Sequence, residues 1–484
     1  MERSMTAKTK EAIMDYLNYQ LKESPTIFTL KLACTREAVK ECTLRNLTEC
    51  MIEVISKNTT IQRLCIEYVD IGESNTQIIC DMLKTHTSIR ELNINGNHIK
   101  TNGAYWISEM IKNNTTIEKL NVENNSVGYY GCHWITKALM VTSNIKYLNI
   151  SNNGLGDKGT LFISEMLKHN TSITDLDIGS NAIGNYGAEY MSDALDINKT
   201  LKKLWIERNG IRNRGIKWIS KMLIINTTLE CIYMRNNDMD EDGVENLTIA
   251  LTHNKTLKQL DIGHNNYIGN DGVLWLTKII IKNNTLTHLC INNVSMWQES
   301  AKYLSDALKN NTSIIFLDIG SNQIKEKGIE YICKMLEKNK TLQVLKFADV
   351  EMDKDGAKSL AEALCINKTL KNLDIRNNEL KSGGARHIGV ALSSNNTLTT
   401  LEIKGNDIEN GGIQYIKKAF ENNATLLNID LHDCKQFTDR NLQMKKQLQD
   451  EKVYMVLGLK KSSVFIPLDI QDDFFKIYII GGDK

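Results

Sequence analysis

One phrase constrains this chain more than any other. The pattern L-x-x-L-x-L-x-x-N-x-L, with Ile or Val allowed for Leu, begins at Ile61, Ile89, Ile117, Ile145, Ile173, Leu201, Leu229 and Leu257, each start 28 residues after the last. It resumes one residue late at Leu286 and then runs in register through Ile314, Leu342, Leu370, Leu398 and Leu426. Fourteen starts that hold phase over so long a stretch mean one structural unit stacked on itself, because chance apolar patterning drifts out of step. The hexapeptide LDIGSN, present at Leu176–Asn181 and Leu317–Asn322, is one rung read twice. Its offset of 141 residues, five periods of 28 plus one, places a surplus residue near Tyr267 and Ile268. An earlier, degenerate unit with Ile27, Leu30 and Leu32 opens the series.

Each unit reads as one strand and one helix. In ELNINGNHI, Leu92 and Ile94 alternate with Asn93 and Asn95, the period of a strand with one buried face. Gly103 is then followed by Ala104, Ile107, Met110 and Ile111, the stripe of an amphipathic helix that stops at Asn113 and Asn114. Parallel strands stack about 4.8 Å apart whereas packed helices need about 8 to 10 Å. Stacked units therefore bend with the helices outside, which predicts an α/β solenoid: a horseshoe with parallel strands on its concave face, helices on its convex face and about 14 to 15 repeats of 28 residues.

These units resemble leucine-rich repeats of the ribonuclease-inhibitor type. They are also similar to the C-terminal repeat arrays of NOD-like receptors, the nucleotide-binding innate immune receptors. No G-x-x-x-x-G-K-[ST] loop occurs, so the nucleotide-binding domain of those receptors is not expected here. The reading gives an N-terminal helical cap over 1–26, a solenoid over 27–437 and a C-terminal cap or tail over 438–484, with Pro25 and Pro467 outside the array.

Recurrent polar residues carry the scaffold. Asn97, Asn125, Asn153, Asn181, Asn209, Asn237, Asn265, Asn322, Asn378 and Asn406 are expected to form an inner ladder whose amides satisfy turn backbone. Val69, Val294 and Val350 break it, and Ser300 replaces the glycine that recurs at positions such as Gly103, Gly131 and Gly412. Those turns must rearrange or admit water, and the breaks after the surplus residue suggest a change of curvature or a protruding loop. Triplets such as Asn170–Ser172, Asn198–Thr200 and Asn254–Thr256 match the glycosylation signal, yet they recur with the repeat and so read as one recurring turn.

The charges cancel, 59 basic against 58 acidic, so nothing in the balance points to nucleic acid or a membrane surface. No apolar run reaches the ~18 to 20 residues that span a bilayer, and the N-terminus lacks a signal-like apolar segment. Eleven cysteines without C-x-x-C spacing suit reduced thiols in a cytoplasmic protein.

Function is expected on the concave face, from side chains flanking the inward Leu and Ile. Tyr147, Trp205 and Tyr233, with Arg208 and Arg235 on the same strands and His264 at the edge, are residue types that carry interface energy. Asp261, Asp318, Asp374 and Asp430 occupy alternate repeats, roughly 9 to 10 Å apart, and predict an anionic stripe that would steer a basic partner. No nucleophile–base pair or metal set is visible: Asp177 and Ser180 have no neighbouring base, and His264, His288 and Cys290 fall in different columns. The expectation is a non-enzymatic protein-binding scaffold without cofactor or metal. The resemblance implies an inhibitor of a basic enzyme or an innate-immune or signalling scaffold. The alternative is a GTPase-activating protein similar to the leucine-rich Ran activators, whose acidic tail this chain lacks.

Overall fold

The structure is a computed structural model of the 484-residue chain; it describes residues 52–430 together with the strands Ile27–Cys34, Ser463–Val464 and Phe475–Gly481. It divides into two compact units, the first running to Asn209 and taking in the C-terminal strands, the second beginning at Gly210.

In the first unit, three-residue strands Glu91–Asn93, Lys119–Asn121, Tyr147–Asn149, Asp175–Asp177 and Lys203–Trp205 follow the longer Arg63–Glu67, each parallel to the next. Leu64, Leu92, Leu120, Leu148, Leu176 and Leu204 face one another in register and are at most 2% exposed. Removing one such leucine side chain costs about 2 to 5 kcal/mol, because stacked neighbours cannot close the gap. The second unit repeats the plan from Cys231–Tyr233 to Asn428–Asp430, with Ile232, Leu260, Leu289, Leu317, Leu345, Leu373 and Leu401 as its buried column. A helix follows each strand from Arg63–Glu67 to Thr400–Glu402, as Lys100–Asn113 follows Glu91–Asn93 and buries Ala104, Ile107, Met110 and Ile111 as the spacing predicts.

The recurrent glycine lies in the first turn of its helix, and its role is close approach. A Cβ on Gly131 would sit 2.9 Å from Cβ of Ala104 on the preceding helix, and one on Gly412 would sit 2.8 Å from Cα of Ser382. Ser300 is accommodated because its hydroxyl bonds Asn270 Oδ1 at 2.7 Å.

The predicted asparagine ladder is present. Asn153 Oδ1 accepts the backbone N–H of Asn125 and Val127, while its Nδ2 donates to the carbonyls of Val122, Ile150 and Ser151. At the breaks, the valines keep their own N–H bonds, Val294 donating to Asn322 Oδ1 and Val350 to Asn378 Oδ1. The rearrangement falls one repeat earlier, where the N–H groups of Ile268 and Ile324 turn to the carbonyls of Asn265 and Asn322. The surplus residue is accommodated at Tyr267, which projects with 70% of its surface exposed.

A second ladder runs through the N-x-[ST] triplets. Asn170 Oδ1 accepts the N–H of Ser172 and Ile173, and its Nδ2 donates to Leu139 O of the previous repeat at 2.8 Å. Asn198 and Asn254 repeat the arrangement, and all three side chains are at most 5% exposed. The nitrogen that would carry a glycan is consumed by the fold.

Strand Ile27–Cys34 pairs in parallel with Arg63–Glu67, placing Leu30 opposite Leu64 and Leu32 opposite Ile66. On its other edge it pairs antiparallel with Phe475–Gly481, so this part of the expected C-terminal cap lies against the first strand. The expected N-terminal helix over 1–26 and most of 438–484 fall outside the described residues. No helix among the described residues is long and apolar enough to cross a membrane.

Candidate functional site

The strand face of each unit is built from the residues that alternate with the buried leucines. Those between the two inward positions have a structural duty first. In the first unit Asn93, Asn121, Asn149 and Asp177 each use Oδ1 to accept the N–H two residues later, at 2.9 to 3.2 Å. Asn149 and Asp177 stand opposite each other on adjacent strands, and Trp205 stands opposite Asp177 on the next. Asn149 Nδ2 also reaches Glu123 Oε2 at 3.4 Å. Burial pushes the Asp177 carboxyl up to about 6; the Gly179 N–H offsets part of this and nearby Glu123 adds to it. Tyr147 is half-buried, and burial, reinforced by Asp177, pushes its hydroxyl up to about 12. Tyr147, Asp177 and Trp205 therefore share one face, framed by Glu123. Arg208 belongs to the turn that follows, with φ of 54°, a left-handed conformation that costs a bulky side chain about 1 to 2 kcal/mol.

The second unit corrects the predicted anionic stripe. Asp261, Asp318 and Asp374 are only 6, 8 and 5% exposed. Each accepts a backbone N–H, from Gly263, Gly320 and Arg376 respectively. Arg235 lies across them: its Nε is 2.7 Å from Asp261 Oδ2, and its Nη2 donates to Asn292 Oδ1 at 2.7 Å and stands 3.9 Å from Asp318 Oδ2. Burial raises the Asp318 carboxyl, and Lys346 and Arg235 offset part of that. Arg376 forks onto Asp374 and also meets Glu402 at 2.9 Å. Alternation predicted exposed carboxylates here; the basic residues of the same face bend over them, and the buried aspartates become part of the scaffold. Asp430 ends the last strand half-buried. His264 occupies a left-handed turn position at φ 57° and lies within hydrogen-bond reach of Asn292 and Asn293. The Tyr233 hydroxyl donates to Gln259 Oε1 at 2.7 Å.

In the column at the start of each strand, sequence reasoning singled out Tyr147 for partner contact and passed over Phe316 and Val344. His288 and Phe316 stack there with ring centroids 5.4 Å apart and planes 19° apart, Lys346 Nζ lies 5.6 Å above the Phe316 ring, and Val344 continues the row opposite Phe316. All four are half-buried. Their signal was an apolar run in a column where other repeats place charged or polar residues such as Lys203, Asp175 and Gln259.

An overlooked column lies on the helices: Trp106, Trp134, Phe162 and Tyr190 in the first unit, and Trp218, Trp275, Tyr303, Tyr331 and Tyr415 in the second. Tyr105 meets Trp134 edge-on at 5.4 Å and His133 meets Phe162 at 4.6 Å, so rings bridge successive helices. Lysines cover several of them, as Lys278 covers Trp275 at 3.3 Å.

No His, Cys, Asp or Glu cluster among the described residues has the form of a metal site. No curated protein matches the sequence. Among solved structures the chain is similar to the yeast Rad7 and Elc1 complex, at 14% identity over 84% of this chain and 90% of that one with a TM-score of 0.45. It is also similar to an internalin from Listeria monocytogenes, at 17% identity over 82% and 90% with a TM-score of 0.40. Leiomodin-1 actin-binding site 2 is 23% identical over 32% of this chain and 92% of its own, with a TM-score of 0.27. A leucine-rich repeat family model matches residues 85–108, 143–164, 169–192, 253–274, 310–333 and 394–417. Those six matches fall on the same strand, asparagine turn and helix that the structure repeats, so the chain carries leucine-rich repeats.

Proposed function

We propose that this leucine-rich repeat protein is a non-enzymatic binding protein that takes a protein partner on its strand face. The observation that supports this most is the His288, Phe316, Val344 and Lys346 group, a half-buried aromatic and aliphatic strip beneath a cation. Aromatic side chains and neighbouring cations are the groups that supply most binding energy at protein interfaces. Tyr147, Trp205, Arg208 and Tyr233 extend the same reading to neighbouring strands of their own units, whereas Asp261, Asp318 and Asp374 serve the scaffold. An inhibitor of a basic enzyme and a signalling scaffold would use this face alike and differ only in the partner held. No separate observation favours the GTPase-activator alternative.

Photo-crosslinking tests the proposal. With benzoylphenylalanine at position 316, quantitative mass spectrometry should recover a partner that the same probe at Tyr303, on a helix, does not. Phe316→Ala with His288→Ala should reduce recovery of that partner by at least tenfold, since truncating a good anchor costs about 2 kcal/mol or more. Equal recovery from both probe positions, or from wild type and double variant, refutes strand-face binding.

A further inference from the structure

The two strand faces differ in how their charge is compensated. In the second unit, the column between the inward residues and the column after it hold Asp261, Asp318, Asp374, Glu402 and Asp430 together with Arg235, Lys346, Arg376 and Lys404. Its buried aspartates have arginines at hand. The same two columns of the first unit, from Cys65 to Glu207, hold Glu67, Glu123, Asp177 and Glu207 and no basic residue at all. The lysines and arginines at the starts of those strands are engaged elsewhere, Arg63 with Glu91 at 3.2 Å and Lys203 with Asp175 at 2.9 Å. Among the described residues, neither Glu123 nor Asp177 has a lysine, arginine or histidine within ion-pair distance.

A Cβ on Gly179 would meet Asp177 Oδ1 at 3.3 Å and the Glu207 carbonyl at 3.5 Å, with no side chain of the next repeat among its nearest neighbours, whereas one on Gly263 would strike Asn292, which Arg235 holds in place. Asp177 commits Oδ1 to the Gly179 N–H, and Asn149, which bridges toward Glu123, is occupied by Ser151. Tyr147 and Trp205 stand on either side of the strand that carries Asp177, and a groove of about 190 Å³ lined by Glu91, Leu92, Asn93, Lys119 and Asn121 runs beside Tyr147.

We propose that this face docks a basic segment of a protein partner, with one arginine or lysine side chain seated between Glu123 and Asp177 and flanked by the rings of Tyr147 and Trp205. The inference rests on strand-face binding and names the chemistry of one partner group. Carboxylates supply charge-assisted hydrogen bonds to a guanidinium, and the aromatic faces hold its plane or an ammonium by cation–π attraction. The arrangement supplies from outside the cation that Arg235 supplies from within the second unit. Glu123 and Asp177, two carboxylates without a nearby cation among the described residues, both lie in the repeats before Asn209.

The test uses the full chain labelled with 5-fluorotryptophan, the Trp205 ¹⁹F signal being assigned by Trp205→Phe. The probe is an acetylated, amidated Gly-Ser-Arg-Gly-Ser-Arg-Gly-Ser peptide, with the citrulline version as its neutral counterpart. The arginine peptide should shift the Trp205 signal saturably and the citrulline peptide should not. Glu123→Gln with Asp177→Asn should weaken the arginine peptide by about tenfold or more, while Asp374→Asn in the second unit should leave it unchanged. Equal shifts from both peptides, an equal loss in Asp374→Asn, or no shift at all overturns the proposal. A Trp205 signal that moves with protein concentration alone also overturns it, since a second copy would then occupy the face. If partner recovery depends on Phe316 but the arginine peptide leaves Trp205 unmoved, this proposal fails and strand-face binding stands.

Discussion

Replacing Asp177 by Asn should stabilise the protein at neutral pH. The carboxyl is held at about 6 in the fold against an ordinary 3.8, chiefly because it is buried without a cation. A raised carboxyl binds its proton more tightly folded than unfolded. Its favourable contribution is therefore complete below about pH 3.8, fades as pH rises toward 6 and is gone above that. The charged form thus costs about 3 kcal/mol at most near neutrality. Asparagine removes the charge and keeps the acceptor that the Gly179 N–H needs, as Asn149 does for Ser151. Urea denaturation should show Asp177→Asn more stable by up to about 3 kcal/mol near pH 8, with the gain vanishing toward pH 4. Hydrogen exchange in residues 145–205 is the matching local readout, since long repeat arrays need not unfold as one. A change of equal size at both pH values, or destabilisation at both, would falsify the burial argument. The same variant should lose the arginine peptide, so a more stable protein that binds less would separate binding from folding.

Three further outcomes follow from the scaffold. Asn153→Ala removes the acceptor for two buried N–H groups and the donor to three carbonyls; a loss of about 3 kcal/mol or more is expected in urea denaturation. Arg235→Ala leaves Asp261 buried without its cation and takes one of two from Asp318, so stability should drop by about 3 kcal/mol in urea denaturation near pH 7. Gly412→Val drives a side chain into Ser382 and Ala385 and should lower stability by about 1 to 3 kcal/mol. Gly411→Ala, one residue earlier and facing open space, should raise it by about 0.5 to 1 kcal/mol through helix propensity, and thermal melts of the pair separate packing from propensity.

The repeat, its strand and helix, the buried leucine columns and the asparagine ladder could all be read from spacing. The reason is physical: each unit meets the next through the same displacement, so a contact such as Asn153 to Asn125 appears in the sequence as a fixed interval. The aromatic column on the helices and the ladder through Asn170 and Asn254 obey the same interval, and periodicity alone was enough to find them. The state of the strand-face charges was beyond its reach. Alternation places Asp177, Asp261, Asp318 and Asp374 on one face, but burial and neutralisation depend on where long side chains of other repeats come to rest. Arg235 bonds Asn292, 57 positions away, and covers Asp261, while nothing among the described residues does the same for Asp177. Side-chain rotamers across several strands decide that difference, and no repeat interval encodes it.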